Sequence, residues 1–202
     1  MTVVESASRA HDRDVQVLRR DHEREDAERR AEVRKLIAGE SAAVAEMLET
    51  VAEIPYPGRP KISCRALNST ITEADLLLPE TSVIQPKSAT LLASGKPSYK
   101  EKNQKRINEE YALFAVGLAF RVASEIMLRV PTTRIVVVRG SRSQTDPSTG
   151  KDFLAGLFRI QFDYAKLEPL TMAGIDPVEA LVHFDHQVEF DRFGAFVPSN
   201  IG

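Results

Sequence analysis

The chain of 202 residues contains no tryptophan and a single cysteine, Cys64. One thiol excludes an intrachain disulfide framework and a cysteine-based zinc site. Without Trp, the bulky anchors of a core must come from 9 Phe and 4 Tyr. No apolar run approaches the roughly 20 residues that cross a bilayer. The uncharged stretch Tyr111–Phe120 gives way at once to Arg121 and Glu125, so no membrane partner is expected. The N-terminus is charged from Glu5 onward and lacks the apolar centre of a secretory leader. The expected compartment is therefore the cytoplasm.

Several catalytic signatures are missing as well. A phosphate loop needs glycine, four residues, then Gly-Lys-Ser/Thr. Gly150-Lys151 is present, but Thr145 stands at the first glycine position and Asp152 at the last. No G-x-G-x-x-G occurs, so no nucleotide cofactor is expected. A nuclease of the PD-(D/E)xK type needs an acid and a lysine one residue apart on a strand, to hold a hard cation and steady the attacking water. No E-x-K or D-x-K is found. Cys64 falls in an expected strand with no base spaced to activate it. His183 and His186 have H-x-x-H spacing, which suits either a surface pair or two ligands of a metal. No further His lies near them in sequence, so other ligands would have to be Asp or Glu, and no metal is expected.

What is present is an ordinary globular composition, 43% hydrophobic and 28% charged, with a formal charge of −2. That total excludes a uniformly basic nucleic-acid coat. It also hides a segregation: residues 1–54 carry −4, residues 87–159 carry +7 and residues 160–202 carry −5. A basic middle can mark a polyanion site, or it can face the acidic blocks within one fold.

From Ala10 to Ile54 the sequence predicts helix, with no Pro and one Gly, Gly39. Between residues 9 and 35, 17 of 27 side chains are charged. Glu25/Arg29 and Asp26/Arg30 are acid-first pairs four apart, a spacing that supports a solvated helix. From Val33 an apolar stripe begins (Leu36, Ile37, Val44, Met47, Leu48, Val51), which can dock on the chain's own body or on a second copy. A break is expected at Gly39-Glu40-Ser41. Pro55, Pro57, Gly58 and Pro60 mark the boundary between this arm, residues 1–54, and a domain over 55–202.

In that domain Ile62–Ala66 and Ile71–Leu78 read as a hairpin around Asn68-Ser69. Residues 83–101 read as loop, with a short strand at Thr90–Leu92. Ser98 is the expected N-cap of a long helix from Tyr99 or Lys100 to about Arg129, the core helix. Arg134–Val138 and Phe153–Phe162 form a second hairpin around a turn-rich connection. Asp176-Pro177 opens a short helix to about Phe184, and Val188–Val197 reads as a last strand. The fold class is α+β: two antiparallel hairpins packed on a long central helix, with a charged N-terminal helical arm.

The best polyanion candidates are Lys96, Lys100, Lys102, Lys105 and Arg106, grouped at a helix start where amides and dipole also favour anions. Arg139, Arg142 and Lys151, with Arg134 and Arg159, extend them onto the second hairpin. Tyr99 is the one aromatic among them.

The order of elements also carries a resemblance. A charged helix runs into Ile54-Pro55-Tyr56-Pro57. A hairpin ends in Leu76-Leu77-Leu78-Pro79, followed by Ile84-Gln85-Pro86. Glu110-Tyr111, Ala119-Phe120-Arg121 and Glu125 mark the helix before a strand ending in Arg139-Gly140. Thr145-Asp146-Pro147-Ser148-Thr149-Gly150 and Ile175-Asp176-Pro177 follow, then Ala180-Leu181. This order resembles the non-nuclease region of bacterial Mrr-like restriction-system proteins, over about Arg20 to Val197. In that family a charged coiled coil and an α+β module precede a C-terminal Mrr-like endonuclease domain. Arg139 departs from the Asn usual there. The family's catalytic residues lie in the nuclease domain, so none is carried over.

The resemblance implies a non-catalytic accessory or DNA-associating module of a restriction or defence system, positioning or regulating a nuclease. Its expected partners are DNA, a nuclease subunit and, through the arm, a second copy. One alternative is an interaction or oligomerisation module without nucleic-acid contact. Another is a degenerate or metal-dependent nuclease using Glu125, Asp146 and Asp152, with Asp163 as a further ligand.

Overall fold

The computed structural model describes residues 3–199, with side chains from Val15 on. The arm consists of two helices, α1 (Val3–Ala38) and α2 (Ser41–Ala52). Gly39, at φ 71°, separates them. Its N–H donates to Leu36 O and that of Glu40 to Lys35 O, the paired bonds with which a left-handed residue closes a helix end. The arm does not act as one unit. From Val15 on, α1 is largely exposed until near its end, where Leu36 is buried, and exposed pairs such as Arg29–Glu25 at 3.2 Å brace it. α2 docks on the body through Val44, Leu48 and Val51.

The strands are β1 (Lys61–Ala66), β2 (Ile71–Leu77), β3 (Lys87–Leu91), β4 (Pro97–Glu101), β5 (Ile135–Thr145), β6 (Asp152–Asp163) and β7 (Asp185–Val188). Both expected hairpins form, β1 with β2 and β5 with β6. They merge into one five-stranded sheet, ordered β1-β2-β5-β6-β7, because β2 and β5 pair in parallel from Ile71↔Ile135 to Leu77↔Ser141. The helix α3 (Gln104–Arg129) is the crossover between them. Parallel neighbours require such a connection, since a tight turn can only reverse the chain.

α3 covers one face of the sheet. Small residues Ala115, Ala119 and Ala123 are fully buried and let the helix approach closely; Val116, Val122 and Ile126 fill the space between. Below them lie Ala74 and Leu76 of β2, Val136 and Val138 of β5, and Phe158, Ile160 and Phe162 of β6. Phe120 meets Phe162 edge-on, with ring centroids 4.8 Å apart.

The α+β class, the central helix and the antiparallel hairpins are as expected. Four local expectations are corrected. Residues 83–101 are not mainly loop: the short strand expected at Thr90–Leu92 overlaps β3, which pairs with β4 in a separate two-stranded ribbon. Ser98 therefore lies in a strand, and α3 starts later, capped by Asn103, whose Oδ1 accepts from Arg106 N–H at 2.8 Å. The segment after Asp176-Pro177 is a 3-10 turn, Glu179–His183, whose N-cap is Val178; Asp176 Oδ1 instead accepts from Val178 N–H at 2.9 Å and Glu179 N–H at 3.2 Å in the turn before it. The last strand is β7, followed by a single bridge between Phe190 and Phe196.

This topology gives the body two ends. At one, β2 and β5 finish, the ribbon projects and α3 begins. At the other, α3 finishes and the β1–β2 turn lies, and there Gly39 stands against Thr132 and Ser69. The arm α1 leaves from that second end.

Candidate nucleic-acid interface

The crossover decides where the basic residues go. The chain leaves β2, builds the ribbon and enters α3, so Lys96, Lys100, Lys102, Lys105 and Arg106 all fall at the first end. Lys151 joins them from the β5–β6 connection. Arg142, on the upper part of β5, turns toward α3, with its guanidinium carbon 5.7 Å from the Tyr111 ring centre. Arg139 does not join. It lies on the uncovered sheet face, bound to Asp75 at 2.7 Å and Glu73 at 3.1 Å, and Arg65 reaches the same Glu73.

The cations at the first end are unequal. Glu110 holds two of them: Lys102 Nζ at 2.6 Å and Arg106 Nε at 2.9 Å. The Lys102 hydrogen bond, with a further contribution from Arg106, keeps the Glu110 carboxyl below its ordinary range. Lys102 is only 12% exposed, so it acts as a strut beneath the ribbon. Lys105 stands 3.8 Å from Glu109. Among the described residues, Lys96, Lys100 and Lys151 make no ion pair. These compensating carboxylates were readable, since Lys105/Glu109 and Arg106/Glu110 are four apart on a helix.

Lys96 closes the turn of the ribbon, where Leu92 N–H donates to Lys96 O at 3.0 Å and Gly95 takes φ 75°. Lys100 sits opposite Ser88 on β4. Nine of the ten residues in the two strands are exposed, Ser98 being half-buried. Side chains alternate across a strand, so the register gives the ribbon two unlike faces. Ser88, Thr90, Ser98 and Lys100 share one; Lys87, Ala89, Leu91, Pro97, Tyr99 and Glu101 share the other, with Lys87 bound to Glu101 at 3.1 Å.

The nuclease candidates do not form one group: Asp146 and Asp152 share the end of the β5–β6 hairpin, and Glu125 and Asp163 lie elsewhere. Glu125, on the far half of α3, is bound to Arg129 at 3.1 Å. Asp146, in the β5–β6 turn, accepts from Ser148 and Thr149, and Asp152 accepts from Thr145. Asp163 caps the short helix α4 (Tyr164–Leu167) at the other end. Among the described residues no three His, Cys, Asp or Glu side chains are grouped as metal ligands. His186 Nδ1 lies 2.9 Å from Phe184 O, an arrangement local to the turn. Burial pushes the Cys64 thiol up to about 11, with Asp75 adding to the shift, the reverse of an activated nucleophile.

The chain matches no family model, no curated protein and no solved structure.

Proposed function

We propose that the chain is a non-catalytic, DNA-associating accessory module of a restriction- or defence-type system, and that it positions or regulates a nuclease. The observation that carries the DNA contact is a projecting ribbon with two lysines, Lys96 and Lys100, that make no ion pair among the described residues. It stands beside the basic first turns of α3. Free ammonium groups on a projecting element can release counterions from a duplex; groups already bound to Glu110 contribute less. The resemblance of the motif order to that of Mrr-like systems is what supports the restriction context.

The test is fluorescence anisotropy of a labelled duplex, plain and methylated, titrated with the full chain between about 50 and 200 mM salt. The reading expects binding that weakens steeply with salt, and a preference for the methylated duplex would tie it to restriction. No binding at the lower salt would defeat it.

A second reading, self-association without nucleic acid, is favoured by the exposed Val15, Val17, Leu18, Val33 and Ile37 along α1. Sedimentation equilibrium of the full chain separates the two: the second reading expects dimers that Leu18→Glu disperses, and no shift with DNA.

A further inference from the structure

The two faces of the β3–β4 ribbon are chemically distinct, and the difference bears on how a duplex would be held. The Ser88, Thr90, Ser98 and Lys100 face carries three hydroxyls and one ammonium, with Ser88 opposite Lys100 and Thr90 opposite Ser98. Hydroxyls donate to or accept from any base edge, and lysine donates to the guanine acceptors O6 and N7. The other face is apolar along Ala89, Leu91 and Pro97; its polar groups are the Tyr99 hydroxyl and, at the base, the Lys87–Glu101 ion pair at 3.1 Å, whose charges offset each other. Lys96 lies at the tip, beyond both strands, where it can meet a phosphate.

Dimensions agree with the chemistry. Two strands stand about 4.8 Å apart and five residues span about 17 Å, which passes the depth of about 8.5 Å of a major groove. That groove, about 12 Å wide, admits a two-stranded ribbon; the minor groove, about 6 Å wide, is narrower than a ribbon with its side chains. The ribbon is also bare enough to enter. Lys102 N–H donates to Pro86 O at 2.8 Å, which ties the two legs of the ribbon together at its base, and Lys102 Nζ anchors that base to Glu110 of α3.

We propose that the ribbon enters the major groove of duplex DNA, with its Ser88/Thr90/Ser98/Lys100 face toward the base edges and Lys96 on the backbone. This rests on the DNA-binding reading above and adds the groove and the face. The Ala89/Leu91/Pro97/Tyr99 face then points away from the bases.

The experiment compares three probes by anisotropy: an unmodified duplex, the same duplex with its cytosines replaced by glucosylated 5-hydroxymethylcytosine, and an A·T-rich duplex preloaded with netropsin. Glucose fills the major groove; netropsin fills the minor groove. Glucosylation should weaken binding at least tenfold, and netropsin should change it less than twofold. The double variant Ser98→Ala/Lys100→Ala should lose binding to the unmodified duplex, while Tyr99→Ala should bind like the unaltered chain. Both alter exposed or half-buried positions, and matching circular dichroism and melting curves verify the fold. If the unmodified duplex binds but glucosylation has no effect, or if Tyr99→Ala is the variant that fails, the groove and face assignment is overturned while the DNA-binding reading stands. If no duplex binds at all, both fall.

Discussion

Gly140 of β5 and Phe158 of β6 are partners across the sheet, and the phenyl ring occupies the space a side chain at 140 would need. A Cβ built there would overlap the ring's Cζ. The ring is fully buried in the core, and the β5–β6 register shifts just beyond it, between Gly140 and Ser141. The glycine thus lets an aromatic lie flat over a strand in the middle of the sheet. Gly140→Ala should destabilise the fold by about 2–3 kcal/mol, the cost of forcing an overpacked core apart. Chemical denaturation measures it; Gly140→Ala combined with Phe158→Leu should recover part of the loss.

Arg139 and Lys100 separate structural charge from binding charge. Arg139→Ala leaves Glu73 and Asp75 without their shared guanidinium. Asp75 is half exposed, so water screens the loss, and the expected cost is about 1 kcal/mol. DNA affinity should be unchanged. Lys100→Ala should do the converse, lowering affinity and leaving the melting temperature where it was.

Tyr56 is 4% exposed, its hydroxyl has no hydrogen-bond partner among the described residues, and burial pushes its ionisation up to about 12. Its ring carries the Arg121 guanidinium 5.2 Å from its centre. The ring is therefore useful and the hydroxyl is not. Tyr56→Phe should be neutral or stabilise by up to about 1 kcal/mol, whereas Tyr56→Ala should cost about 3 kcal/mol. Paired thermal melts decide it.

Glu110 gives the body an acid limit. Its carboxyl is held below the ordinary value of 4.5 by Lys102 and then Arg106. A carboxyl depressed on folding adds stability above its ordinary value, and that share is lost as pH falls through the lower folded value. Glu110→Gln should therefore narrow the difference in urea midpoint between neutral pH and pH about 3, chiefly by lowering the neutral value. An undiminished difference would show that other groups set the acid limit.

The sequence showed those elements whose apolar residues repeat with a clear period. Ile71–Leu77 alternates into the core, and α3 carries an apolar centre with Arg129 and Pro131 at its end, so both were placed within a few residues. Of the ribbon the sequence shows only a short strand at Thr90–Leu92, overlapping β3, because the ribbon buries almost nothing. Lys87–Leu91 and Pro97–Glu101 have no inward face to impose alternation, and their pairing is visible only in three dimensions. Ser98 then looked like a helix cap because a serine before a polar run satisfies the same local chemistry as Asn103. The parallel pairing of β2 with β5 also had no local signature, although strand, long helix, strand is the arrangement that produces it. Among the candidate site residues, clustering in sequence gathers a set that the fold places at one end of the molecule. It did not distinguish Lys102 and Arg106, spent on Glu110, from Lys96 and Lys100. Arg139 was grouped with them by charge alone, and its partners Glu73 and Asp75 lie more than sixty positions away.

The most direct measurement compares duplex binding by the unaltered chain and by Lys96→Ala/Lys100→Ala across a salt series. The account predicts that the double variant binds at least tenfold more weakly at low salt, with the slope of log affinity against log salt shallower by about 2, one for each ammonium group removed from the duplex. Its melting temperature should not move. Equal affinity and equal slope for the two proteins would contradict the assignment of the ribbon as the DNA-contacting element.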